Sequence, residues 1–224
     1  LAISRVFEQR KNLAPVSHFC RLSSAGVDWR RWSADTFPYY EIGGLSAHTG
    51  EAISSLVAVH EAPSRAKYLV KEGDLLVSTV RVNLKAIAQV PVGSDGGVAS
   101  SGFAVLRAPD PATVAYVRAC LLHDAGTQQL MRWNTGGAYP AIDRSVVLDV
   151  LVPNPGEDQV LTVGHALLTA QSQLVEADRL VTESRSDIER LVEGTCDTEA
   201  LVAAGQAAEE WFSAHPSPHD KGGP

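Results

Sequence analysis

Apolar and small residues recur with a strict seven-residue period between Val160 and Leu191, and nothing else in the 224-residue chain restricts its folding so narrowly. Val160, Leu167, Leu174, Val181 and Ile188 stand seven apart, and Val163, Ala170, Ala177, Ser184 and Leu191 follow them by three. This is the a/d pattern of a coiled-coil seam, flanked by Gln, Glu, Asp and Arg. Residues 156–193 are therefore expected to form one continuous helix, a rod of roughly 55 Å at 1.5 Å per residue. Its interface would be Val160, Val163, Leu167, Ala170, Leu174, Ala177, Val181, Ile188 and Leu191. Such a seam is covered either by a second helix or by the chain's own core. The strict period favours a second helix, and the small residues Ala170, Ala177 and Ser184 would allow it to come close.

Ahead of this helix the pattern changes. Residues 1–155 read as a strand-rich head, so the expected fold is α+β: a mixed globular domain followed by a long spacer helix, with a short helix and a disordered tail over 194–224. Ile3, Val6 and Phe7 have helical spacing, and Pro15 stops that helix. Pro38–Ile42 reads as a short strand before Gly43-Gly44, and His48–Glu51 as a turn. Leu69-Val70, Leu75–Thr79, Leu84–Val90 and Ala99–Leu106 are strand candidates. Asp110 followed by Pro111 is a helix start, with Val114, Val117, Leu121 and Leu122 at helical spacing. A second helix is expected from Gly126 to Trp133, and Asp143 is placed to cap a brief one over Arg144–Asp149. Asp197–Phe212 reads as the last helix.

The charge is unevenly spread. The formal net charge is −7, yet residues 1–157 hold 15 Lys and Arg against 14 Asp and Glu, whereas residues 158–224 hold 4 against 12. The head is thus close to neutral and the acid lies behind it. Its basic excess gathers in residues 63–88, where Arg65, Lys67, Lys71, Arg81 and Lys85 face only Glu72 and Asp74. In that stretch a turn signal, Lys71-Glu72-Gly73-Asp74, precedes the apolar run Leu75–Val77, then Ser78, Thr79, and Arg81, Asn83 and Lys85 at alternate positions. Alternation predicts that the last three share one strand face. Arg, Asn and Lys are the side chains that read base edges and hold phosphates, so Arg65, Lys67, Ser78, Thr79, Arg81, Asn83 and Lys85 are candidate DNA contacts. A solvated edge strand kept soluble by its charge is the competing reading. A patch this modest implies that tight DNA binding needs a partner that adds positive charge.

The wording of the same stretch carries a resemblance. PSRAKYLVKEGDLLVSTVRVNLKAIA resembles the middle of a target-recognition domain from the DNA-specificity (S) subunits of Type I restriction–modification systems. Further blocks follow in that family's order: YYEIGGL with TGE (39–51), ASSGFAVLR (99–107) and GGAYPAIDRSVVLDVLVPNP (136–155), then the long helix. The resemblance spans roughly residues 36–192. One departure is Gly44, where other members often carry an acidic residue. The resemblance implies a non-catalytic specificity subunit that directs a separate adenine-N6 DNA methyltransferase, and in full systems a restriction subunit, to a double-stranded DNA target. S-adenosylmethionine would be held by that methyltransferase, with no cofactor in this chain. It also places Tyr139 and Arg144 where the head joins the helix, facing either DNA or the junction itself. Family members usually carry two recognition domains and two spacer helices. This chain has one of each, so it is expected either to pair with itself as a homodimer through the helix or to be the recognition end of a longer specificity or fused methyltransferase-specificity polypeptide.

Several function classes find no support. There is no NPPY-type methyltransferase motif, no GxxxxGK[ST] phosphate loop, no HExxH and no GxSxG. Cys20, Cys120 and Cys196 are far apart and odd in number, which speaks against a zinc site or a disulfide framework. His215 and His219 are spaced like a helical metal pair, but Pro216 and Pro218 oppose a helix there. No apolar run reaches the roughly 18 residues of a membrane span, and a cytoplasmic location is expected. The alternative from another class is a coiled-coil adaptor whose head binds protein.

Overall fold

The structure is a computed structural model, described here for residues 12–135, 140–195, 202–203, 205–207 and 209–210. Two compact units divide it, Leu1–Leu174 and Val175–Pro224. The first contains three sheets. Strands β2 (Arg21–Leu22), β6 (Leu75–Ser78), β7 (Ile87–Gln89) and β9 (Phe103–Arg107) form an antiparallel sheet in the order β2-β9-β6-β7. Strands β3 (Thr36–Tyr40), β4 (Ser55–Ala58), β5 (Ala66–Val70) and β8 (Gly97–Ser100) form a mixed sheet, β4-β3-β8-β5. A two-stranded ribbon joins β1 (Leu13–Pro15) to β10 (Leu151–Pro153).

The unbroken apolar run Leu75–Val77 is explained by burial on both faces of β6. Leu75 and Val77 enter a core shared with the helices, while Leu76 enters a second core with Tyr40, Val90 and Ala99. The neighbouring strand β9 divides the same way: Ala104 and Leu106 face the helices, and Phe103 and Val105 face the other sheet. A strand buried on both sides has no reason to alternate polar and apolar residues. A third cluster covers the far side of the mixed sheet, with Trp29 and Trp32 packed on Phe37 at ring distances of 4.8 and 5.9 Å. The pair Arg30-Arg31 therefore belongs to a 3-10 turn, Trp29–Arg31, which with Trp32 behind it packs tryptophan rings on this core.

Helix α1 (Pro111–Leu122) starts where the sequence places it. The Asp110 carboxylate accepts the Ala112 N–H, and Pro111 fills the first turn, where no amide is needed. Helix α2 runs over Asp124–Met131, capped by His123, two residues ahead of the start expected at Gly126. Asp143 caps the 3-10 turn Arg144–Asp149 through the Ser145 N–H. One buried ion pair ties the head together. Asp74, only 1% exposed, takes two hydrogen bonds from the Arg107 guanidinium at 2.6 and 2.5 Å and a third from the Lys71 amide at 2.8 Å. With its donors in place the carboxylate is compensated; a carboxylate buried alone would cost several kcal/mol or more.

Helix α3 (Glu157–Val192) is continuous, and its first turns belong to the head. Val160 is 3% exposed within the helix-side core, and Gly164 lies so close to the Ala112 carbonyl that no side chain fits between. This corrects one expectation: Val160 is a core residue of the head and does not line an open seam. The end is equally well defined. Gly194 takes a positive φ of 70°, its N–H donates to Leu191 O, and the Thr195 N–H donates to Arg190 O. This is the Schellman closure, which needs a residue without a Cβ penalty at that point.

Two strand expectations are also corrected. Ala99–Leu106 is not one strand but parts of β8 and β9, which turn back at Ser101-Gly102 and enter different sheets. Leu84–Val90 shrinks to β7, because the residues before it form a turn. The helix expected over residues 1–12 lies outside the described residues except for Asn12. Of the one expected over Asp197–Phe212, only 202–203, 205–207 and 209–210 are described, and these are helical.

Candidate nucleic-acid interface

The β6–β7 connection overturns the alternation read for Arg81, Asn83 and Lys85. β6 ends at Ser78, and Val82–Leu84 is a 3-10 turn bracketed by two non-glycine residues in the left-handed region, Arg81 (φ 51°) and Lys85 (φ 53°). Each such residue costs on the order of 1 kcal/mol, so the surroundings must hold it there. They do so by main-chain bonds: Arg81 N–H to Pro140 O (2.9 Å), Leu84 N–H to Arg81 O (2.9 Å), Lys85 N–H to Val82 O (3.1 Å) and Ile87 N–H to Lys85 O (2.8 Å). Val82, buried at 3%, pins the turn to the core. The result is a rigid tip on which Arg81, Asn83 and Leu84 are exposed.

The other candidates separate by what holds them. Lys85 does not share a face with Arg81: its ammonium lies 2.7 Å from Asp124, and this hydrogen bond holds the Asp124 carboxyl below the usual carboxylate range. Ser78 and Thr79 are buried, and their hydroxyls donate to Val80 O and Gly102 O at 2.8 and 2.9 Å. Both are consumed by the loop and are not free for DNA, a correction to the sequence reading. Arg65 and Lys67 are exposed, and Lys67 lies 5.6 Å from the centroid of the Tyr68 ring. Arg144 is half-buried with its guanidinium 4.1 Å from the same ring, and its Nη1 is buried without a hydrogen bond. The geometry at Arg144 is that of packing. Tyr139 lies outside the described residues.

Arg65 and Arg81 come together. Both line an open cleft of about 630 Å³, with Leu84 and Ile42 among its apolar walls and Ser101 and Gly102 at the β8–β9 turn. Arg65 is fixed by its own carbonyl, which accepts the Ser101 N–H at 2.7 Å. No acidic side chain lines the cleft among the described residues. Two arginines in a cleft whose described lining holds no acidic side chain suit a polyanion. Leu84 is the residue that sequence reasoning missed. In an alternating strand it would point inward; only the left-handed residues on either side turn it out.

Elsewhere the chemistry is quiet. Cys20 and Cys120 are buried free thiols pushed up to about 12, chiefly by desolvation, so neither is a nucleophile at neutral pH. Among the described residues there is no group of three His, Cys, Asp or Glu side chains fit to hold a metal ion, and no helix long and apolar enough to cross a membrane.

The strand-rich head followed by one long helix is similar in fold to a target-recognition domain of a specificity subunit. Solved structures similar to the chain are specificity subunits of Type I restriction–modification systems. The HsdS subunit from Thermoanaerobacter tengcongensis matches with 26% identity and a TM-score of 0.60 over 80% of this chain and 46% of that one. A chain from a structure describing complex assembly and conformational transition of the type I R-M system matches with 28% identity and a TM-score of 0.59 over 82% and 48%. The chain thus spans about half the length of the structures it matches. No protein-family model and no curated protein matches the sequence.

Proposed function

We propose that the chain is a DNA-specificity module that brings an adenine-N6 DNA methyltransferase subunit, and in full systems a restriction subunit, to a defined double-stranded sequence, while catalysing nothing itself. The observation that carries this reading is the cleft lined by Arg65 and Arg81 at the 81–85 tip, with no acidic side chain among its described lining residues, in a fold similar to that of HsdS. S-adenosylmethionine belongs to the methyltransferase in this reading. In this reading the second helix that covers the seam comes from another copy of the chain, giving a homodimer and an inverted-repeat target.

The test is a mobility-shift titration of the full chain with methyltransferase subunit, across salt concentration and on selected against scrambled duplexes. Arg81→Ala is expected to cost about 1–3 kcal/mol on the selected site and to relax one base position. Arg65→Ala is expected to weaken both duplexes alike and to lower the salt slope by about one unit. Equal affinity of the parent chain for both duplexes at every salt concentration would favour an adaptor that binds protein.

A further inference from the structure

Leu84 is the anomaly of the tip. It is 64% exposed at the summit of a turn that main-chain hydrogen bonds and Val82 hold still, so its exposure is built in and does not reflect a loose loop. A large aliphatic side chain gains nothing by standing in water on a rigid projection. Its neighbours narrow the choice of what covers it. Arg81 and Asn83 flank it, and the Asn83 amide makes no hydrogen bond among the described residues. Lys85, at the other side of the turn, is tied to Asp124.

Resting on the proposed DNA reading, we infer that Leu84 is a specificity determinant that contacts the C5-methyl group of a thymine in the major groove. The major groove distinguishes base pairs by donors, acceptors and that single methyl group. Guanidinium, carboxamide and aliphatic side chains are the respective partners of guanine, adenine and thymine. The tip presents one of each, on a frame held by main-chain hydrogen bonds. A wedge between minor-groove base steps would also use an aliphatic side chain. It would not depend on the thymine methyl, and this separates the two.

The experiment is selection by the full chain, with methyltransferase subunit, from two randomised duplex libraries, one with thymidine and one with deoxyuridine in its place. The parent chain is expected to select a motif containing at least one T·A position from the thymidine library and to lose preference there in the deoxyuridine library. Loss of one methyl contact is worth about fourfold in affinity. Leu84→Ala should give the motif without that position from either library, and Leu84→Met, which keeps an aliphatic tip, should restore it. Because the side chain is exposed, the melting temperature of Leu84→Ala should equal that of the parent. The inference is overturned if Leu84→Ala keeps every position of the parent motif, or if parent motifs agree between libraries while Leu84→Ala weakens both. If the parent chain enriches no sequence from either library, the DNA reading itself falls, and the inference with it.

Discussion

The two ends of helix α3 carry the same heptad pattern and meet different fates. At its start Val160 is 3% exposed and Gly164 touches the Ala112 backbone, so the helix is anchored on the head there, although Val163 of the same stripe is already 40% exposed. Further along, Leu174, Val181, Ile188 and Leu191 are between 41% and 60% exposed, on a helix whose other faces carry charge. Periodicity reports that a stripe exists. It does not report what covers it, because a core and a partner helix ask for the same spacing.

Four substitutions would break or sharpen that contrast. The largest effect is expected from Val181→Asp, which places a carboxylate in the exposed stripe. It should abolish association through the helix, since a buried unpaired carboxylate costs several kcal/mol, while the melting of the head stays unchanged. Light scattering and thermal unfolding read the two outcomes side by side; a destabilised head with association intact would assign the whole stripe to the head. Next comes Gly164→Ala. The added methyl would run into the Ala112 carbonyl, and overpacking of this kind costs up to about 3 kcal/mol of head stability in denaturant unfolding. Smallest is the pair Val160→Ala and Leu191→Ala. The first should cost about 2 kcal/mol by leaving a cavity, and the second no more than about 0.5 kcal/mol in the same unfolding transition.

Much of the fold was legible because local chemistry decided it. Asp110-Pro111 and Asp143 announced their caps and Lys71–Asp74 its turn, each through a bond made within a few residues. What stayed hidden depended on distant partners. Arg81 and Lys85 take left-handed conformations that neither residue type favours, held by Val82 in the core and by the Pro140 carbonyl far along the chain. Without those partners, alternate basic residues look like a strand, and Leu84 looks like its inward face. Ser78 and Thr79 misled for a related reason: a hydroxyl next to basic residues suggests a phosphate, yet both are spent on carbonyls of the loop. The Ser101-Gly102 turn carries a Ser-Gly signal, but the apolar residues on both sides of it read as one continuous run.

The main-chain frame of the 81–85 turn has a consequence for how such a surface can change. Its bonds join backbone groups of Arg81, Val82, Leu84, Lys85, Ile87 and Pro140, and its buried anchor is Val82. Neither the Asn83 nor the Leu84 side chain contributes to that frame. These two positions are therefore interchangeable letters on a fixed mount. A combinatorial library written at 83 and 84 without proline would vary what the tip touches while leaving every main-chain bond of the frame available.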